Sequence, residues 1–220
     1  MEALGIMPGA SNYTFAVRLD DGHLKALAVY KPQDGETPLW DFPEGTLHRR
    51  EVAAYELSEA LGWGIVPPTL LREGPHGIGS VQLFIDATPD MHAFTLMPAY
   101  ADALRLVCAF DLLANNADRK AGHCLREDST GRIFAIDHGV CFHVEDKLRT
   151  VLWDFAGEPI SRQVREGVTR LLDGFPAERF EEFLDVEEVR ALRERAEDLL
   201  DMGHFPDPPQ DRRAYPWPPI

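Results

Sequence analysis

The chain has few basic residues, and lysine is the scarcer of the two strong bases. Its 220 residues include 22 Lys and Arg against 37 Asp and Glu, which gives a formal net charge of −15. Only four are lysines: Lys25, Lys31, Lys120 and Lys147. Because such a surface repels phosphate backbones, the composition argues against nucleic-acid binding. It also lacks the basic cluster that holds proteins on anionic lipid, so no stable membrane anchor is expected.

Signals for membrane insertion, secretion and cysteine-based metal centres are also missing. No apolar stretch approaches the roughly 20 residues that cross a bilayer, and the N-terminus has no basic segment followed by an apolar run. The three cysteines, Cys108, Cys124 and Cys141, are an odd set without the paired spacing of a zinc site. The chain is therefore expected to be cytoplasmic, and its length suits one medium domain or a compact two-lobed unit.

The order of predicted elements indicates an α+β fold. Two strands around the turn Asp20–Gly22 are typical of a hairpin. A helix is predicted from Leu47 to Leu61, with Thr46 as its N-cap and Gly62 at its end. Further helices are predicted over 101–113, 162–172, 177–183 and 186–202. The predicted divisions are a first lobe over 1–90, a second lobe over 91–204 and a proline-rich, extended tail over 205–220.

Two carboxylates flank a predicted hairpin near the middle of the chain. Asp118 lies in the segment Asn116-Ala-Asp-Arg119, and Asp137 follows nineteen residues later in Ile136-Asp-His-Gly139. His123, a ligand-type residue, is five positions after Asp118. Phosphoryl transfer from ATP needs one carboxylate to orient the attacking hydroxyl and further side chains to hold metal on the phosphates. The spacing therefore predicts a phosphotransferase site.

Four further segments resemble atypical kinases of the phosphatidylinositol 3-/4-kinase-like group. In chain order, Val29–Pro32 is similar to the strand that carries that group's ATP-binding lysine, and Arg50–Tyr55 to the helix whose glutamate pairs with it. Gly79–Phe84 is similar to the hinge strand, and Ala135–Phe142 to the metal loop. The motifs are most like those of type II phosphatidylinositol 4-kinases, and HipA-type toxin kinases are more distant. The chain is identified as a member of an actinobacterial phosphatidylinositol 3-/4-kinase-like family. This resemblance implies a protein-kinase-like two-lobed fold, with a small antiparallel-sheet first lobe and a mostly helical second lobe.

The resemblance also implies cofactors and roles for particular residues. The cofactors are ATP and a divalent ion, Mg²⁺ or Mn²⁺. The implied catalytic residues are Asp118, Lys31 and Arg119, and the implied metal ligands are Asp137 and His123. The implied nucleotide-binding residues are Gly9, Ser11, Asn12, Lys31, Glu51, Gln82, Leu83, Phe84 and Ile85. Glu51 would pair with Lys31, whereas Arg119 would either brace the catalytic loop or contact phosphate.

His123 is a departure from the family pattern, which has asparagine at this position. Neutral imidazole is a poor ligand for Mg²⁺ and a better one for Mn²⁺ or Zn²⁺. Three alternatives follow: an altered metal preference, loss of the second metal, or a pseudokinase. The function expected from the sequence is ATP-dependent transfer of the γ-phosphate to a hydroxyl of a small molecule, a lipid or a protein. The alternatives are a pseudokinase acting as a nucleotide-binding regulatory or scaffold module, and an AMP transferase.

Overall fold

The computed structural model describes residues 1–7, 12–23, 25–97 and 99–220. Within these ranges the strands are β1 (Glu2–Ile6), β2 (Phe15–Asp20), β3 (Lys25–Pro32), β4 (Thr69–Gly74), β5 (Gly77–Leu83), β6 (Cys124–Arg126) and β7 (Ile133–Ala135). The helices are α1 (Leu47–Leu61), α2 (Ala93–Leu96), α3 (Ala101–Ala114), α4 (Arg162–Asp173), α5 (Ala177–Glu181) and α6 (Val186–Met202). The predicted α+β fold, with an antiparallel-sheet first lobe and a mostly helical second lobe, is confirmed.

The first lobe is built on a five-stranded antiparallel sheet with the order β1-β2-β3-β5-β4. Residues that share one face of β2, β3 and β5 form a small buried cluster: Val17, Ala28, Tyr30 and Val81. Because side chains alternate along a strand, Lys31 points to the face opposite Tyr30. The sequence does not predict β1, since all five of its residues are exposed and the alternation that marks a half-buried strand is absent.

Helix α1 has its predicted bounds, but its N-terminus is capped by a residue from the preceding loop. Gly62 ends the helix with a left-handed backbone (φ 68°). The predicted N-cap, Thr46, makes no side-chain capping bond. Instead the carboxylate of Glu36 accepts hydrogen bonds from the backbone N–H groups of Leu47 (3.1 Å) and His48 (2.7 Å). A negative charge at this end is also favoured by the helix dipole.

Replacing Glu36 with alanine is expected to lower the free energy of unfolding by about 1–2 kcal/mol, because two N–H groups of α1 lose their acceptor. Urea denaturation measures the change. Glu44→Ala is the matched control, since Glu44 lies exposed in the same loop, and its effect is expected to stay below about 0.5 kcal/mol. Equal effects of the two replacements would contradict the capping role of Glu36.

The second lobe packs around helix α3. Four of its residues at helical spacing, Leu104, Val107, Phe110 and Leu113, are fully buried and form one apolar stripe. Helix α6 has its predicted bounds and packs against both α3 and α4. No helix within the described residues has the length and apolar character needed to cross a bilayer.

The proline-rich tail packs on its own chain without forming a helix or a strand. Phe205 is buried in the core of the second lobe. Further along, the carbonyl of Ala214 accepts a hydrogen bond from the backbone N–H of Thr150 (3.1 Å), and the carbonyl of Pro219 accepts one from Ala121 (2.8 Å). The tail therefore reaches the segment between Asp118 and the β6–β7 hairpin.

Candidate active site

The two lobes meet at an ion-pair cluster formed by Lys31, Glu51 and Asp137. Strand β3 brings Lys31 to the face that α1 covers, and the Lys31 ammonium contacts Oε1 of Glu51. The same ammonium lies 2.9 Å from Oδ1 of Asp137 in the second lobe. The other carboxylate oxygen of Glu51 accepts a hydrogen bond from the backbone N–H of His138 (3.0 Å). Glu51 therefore links the lysine strand to the loop that carries Asp137.

Charge in this cluster is strongly stabilised. Burial by itself lowers the pKa of Lys31, but the charges of Asp137 and Glu51 outweigh that effect and raise the pKa above its ordinary value. The ammonium of Lys31 in turn holds the pKa of Asp137 well below its usual range. Both groups are therefore ionised at neutral pH. The Asp137 side chain remains half-exposed, which leaves it accessible to a ligand.

The β6–β7 hairpin explains why Asp137 and His123 lie side by side. Cys124 pairs with Ala135 in the antiparallel register, so the residues just outside the hairpin are also neighbours. The backbone N–H of Ile136 donates to the carbonyl of His123 (3.0 Å). Asp137 has a positive φ of 63°, an uncommon conformation for a residue other than glycine and one that often accompanies function. His123 Nε2 lies 3.3 Å from Oδ2 of Asp137.

Asp118 lies near enough to Asp137 for the two charges to interact, and it has a basic neighbour. Its backbone N–H donates to the side-chain oxygen of Asn116 (2.9 Å), which shapes the loop. Its carboxylate lies 3.2 Å from the ammonium of Lys120. Burial raises the pKa of Asp118 above its ordinary value, Lys120 opposes that rise, and the charge of Asp137 adds to it. The sequence reasoning missed Lys120, although its position two residues after Asp118 was a usable signal.

Arg119 is fully buried and braces the loop from behind. Its Nε lies 3.0 Å from both carboxylate oxygens of Asp111. Its terminal nitrogens donate to the carbonyls of Ile136 (2.7 Å) and His123 (3.2 Å) and lie 2.8 Å from Nε2 of His138. The guanidinium of Arg119 has no exposed surface, so it does not reach phosphate, which was one of the two alternatives for this residue. The structure therefore favours the other alternative, bracing of the loop, and Arg119 is a candidate positioning residue in place of a catalytic one.

The imidazole of His123 lies beside Asp137 and also contacts the backbone of Lys120. Its Nδ1 accepts a hydrogen bond from the N–H of Lys120 (3.4 Å). Burial lowers the pKa of His123 to about 4, so the imidazole is neutral at physiological pH. No group of three or more His, Cys, Asp or Glu within the described ranges could hold an ion by itself. A metal bound by Asp137 would therefore need ligands of another kind as well, such as the phosphate oxygens of a nucleotide.

The predicted hinge residues lie at the end of β5, beside β3. The backbone N–H of Phe84 donates to the carbonyl of Leu27 (3.0 Å). Leu27 shares its strand face with Lys31, and the side chains of Leu27 and Phe84 are both exposed apolar groups. Gln82 is buried, and its side-chain amide donates to the hydroxyl of Thr69 (2.8 Å).

The remaining residues expected to bind nucleotide lie in different settings. Leu83 is exposed at the end of β5, whereas Ile85 is buried. Gly9 and Ser11 lie outside the described residues. The side-chain oxygen of Asn12 accepts a hydrogen bond from the backbone N–H of Thr37 (2.8 Å), so Asn12 holds the loop after β3.

One family model and several known proteins are similar to this chain. The family model for phosphatidylinositol 3- and 4-kinase matches residues 69–202, which is more than half of the chain. Protein Rv2133c of Mycobacterium tuberculosis is 41% identical, over 99% of this chain and 91% of that protein. Phosphatidylinositol 4-kinase gamma 2 of Arabidopsis thaliana is 25% identical over 69% of this chain, which spans only 37% of the plant protein.

Solved structures match this chain as well. The crystal structure of the proinflammatory kinase CtkA of Helicobacter pylori gives a TM-score of 0.49 at 14% identity, over 91% of this chain and 93% of that chain. The matched family region contains Asp118, His123 and Asp137, whereas Lys31 and Glu51 precede it. Their place in the cluster is thus an observation from the structure alone.

Proposed function

The chain belongs to the phosphatidylinositol 3- and 4-kinase family, and on that premise we propose that it transfers the γ-phosphate of ATP to a hydroxyl group. The observation that carries the proposal is the cluster of Lys31, Glu51 and Asp137 beside Asp118. The cluster and Asp118 together supply a cation to contact phosphate, a half-exposed carboxylate to hold metal and a second carboxylate to act on the acceptor. These are the groups that phosphoryl transfer requires.

Each group in the cluster has a distinct task in this proposal. Lys31 contacts the phosphates of ATP, and Glu51 keeps the lysine in position. Asp137 is the residue that would hold Mg²⁺ or Mn²⁺, whose bound charge offsets that of the phosphates. The exposed apolar surface of Leu27 and Phe84 suits the adenine ring.

Asp118 acts on the acceptor. The acceptor oxygen attacks the γ-phosphorus as the bond to the β-phosphate oxygen breaks, and ADP leaves. The acceptor proton passes to Asp118, whose raised pKa makes it a better base than an exposed aspartate. The ammonium of Lys120, 3.2 Å from that carboxylate, places a positive charge where the phosphoryl group moves.

The proposed acceptors are an inositol lipid head group, as the name of the plant relative suggests, a soluble polyol or a protein hydroxyl.

Calorimetric titration with ATP, first with Mg²⁺ and then with Mn²⁺, tests the proposal. Wild type is expected to bind ATP in a metal-dependent manner. Asp137→Asn is expected to weaken that binding by at least about 100-fold, because the site loses its ionised metal ligand. Asp201→Asn, a change at an exposed position of α6, is the control and is expected to bind as wild type does. A folded wild-type protein that binds no ATP with either metal would refute the proposal and would leave only the scaffold form of the pseudokinase alternative.

A further inference from the structure

The imidazole of His123 lies between a backbone donor and a carboxylate. On one side, Nδ1 accepts a hydrogen bond from the N–H of Lys120. On the other side, Nε2 lies 3.3 Å from Oδ2 of Asp137. The ring is held in this place by the short 3₁₀ turn Ala121–His123. The backbone N–H of Ala121 is in turn bonded to the carbonyl of Pro219 in the tail.

These two neighbours select one tautomer. A neutral imidazole carries a single proton, and a nitrogen that accepts a hydrogen bond cannot carry it. Since Nδ1 accepts from Lys120, the proton belongs on Nε2. Nε2 lies 3.3 Å from Oδ2 of Asp137 without a hydrogen bond between them, and the negative charge of that carboxylate also favours a proton over a lone pair on Nε2. Both contacts therefore favour the same arrangement.

A metal-binding imidazole needs the opposite arrangement. Histidine ligands to metals normally donate their second ring N–H to a carboxylate, a carbonyl or water. If Nε2 of His123 were a ligand, its proton would move to Nδ1 and face the N–H of Lys120. Binding a metal would thus cost the hydrogen bond to the backbone and create a clash between two donors. The asparagine of the family pattern has no such conflict, because its amide oxygen always has a free lone pair.

We propose that His123 keeps its proton on Nε2 facing Asp137 and does not ligate metal, so that the active site takes a single divalent ion, through Asp137. The inference of a single ion rests on the nucleotide and metal binding proposed above. In this arrangement both oxygens of the Asp137 carboxylate have a fixed neighbour, Lys31 at Oδ1 and His123 at Oδ2. His123 is then a positioning residue for the metal-binding carboxylate.

The tautomer can be measured without nucleotide or metal. Histidine-labelled protein is examined by ¹⁵N NMR at neutral pH, and the His123 ring is assigned by its absence in His123→Asn. The expected result is a proton-bearing Nε2 and an unprotonated Nδ1. A proton on Nδ1 would overturn the inference. This outcome is independent of whether the protein binds ATP.

The number of ions is measured by electron paramagnetic resonance, with Mn²⁺ and a non-hydrolysable ATP analogue. Wild type is expected to bind one ion per chain without directly coordinated imidazole nitrogen. His123→Asn is expected to bind two, because the amide oxygen is a ready ligand, and His23→Asn, at an exposed turn, is expected to match wild type. Two ions in wild type, or a nitrogen coupling that His123→Asn abolishes, would overturn the inference. Absence of any bound ion would instead refute the proposed function, and the NMR result would still decide the tautomer.

Discussion

Replacing Asp118 with asparagine is expected to reduce kcat by about 10²- to 10⁴-fold, the range over which a general base contributes to catalysis. The affinity for ATP is expected to stay within about twofold of wild type, because Asp118 acts on the acceptor and not on the nucleotide. The hydrogen bond from the Asp118 N–H to Asn116 involves the backbone, so the loop is retained in the variant. Steady-state kinetics with ATP and an acceptor, together with calorimetry of ATP binding, separate the two effects.

The pH dependence of kcat gives this prediction a second readout. Asp118 must be ionised to accept the proton, so activity falls as the pH decreases through its pKa. Because burial raises that pKa, the acidic limb should lie above the ordinary aspartate value of about 3.9. Lys120→Met removes a charge that lowers the pKa of Asp118, so the acidic limb should move to higher pH. An Asp118→Asn variant with wild-type kcat would exclude Asp118 as the base.

Replacing Arg119 with methionine is expected to lower the free energy of unfolding by about 3–5 kcal/mol, which is typical when one partner of a buried ion pair is removed. Asp111 is completely buried and would be left without its guanidinium partner. Three further contacts, to the carbonyls of His123 and Ile136 and to His138, are lost as well. Urea denaturation measures the change, and the same variant is expected to lose phosphotransfer activity because Asp137 follows directly after Ile136.

Two variants control this experiment. Arg179→Met removes an arginine that pairs with two carboxylates, Glu56 and Glu182, but is about half exposed, so its effect should remain within about 1 kcal/mol. The double variant Arg119→Met with Asp111→Leu removes both buried charges and should be more stable than Arg119→Met alone. Equal losses for Arg119→Met and Arg179→Met would contradict the bracing role of the buried pair.

Much of the fold was predictable because it rests on local patterns. The bounds of α1 and α6 follow from apolar residues at helical spacing and from a glycine directly after each helix. Strand β1 was not predictable in this way, because its exposed residues carry no pattern and only pairing with β2 defines it. The cap of α1 is a similar case, since Glu36 is eleven residues from Leu47 and meets it through the loop.

For the site, the sequence by itself determined which chemical groups are present and their order along the chain. The spacing of Asp118, His123 and Asp137, and the strand position of Lys31, were enough to indicate phosphoryl transfer. Only the tertiary structure decided how those groups are used. Arg119 is buried, which favours bracing of the loop over contact with phosphate, and the backbone N–H of Lys120 favours a proton on Nε2 of His123. The physical reason is that burial and hydrogen-bond direction depend on contacts between residues that are distant in sequence. Local sequence patterns do not predict such contacts.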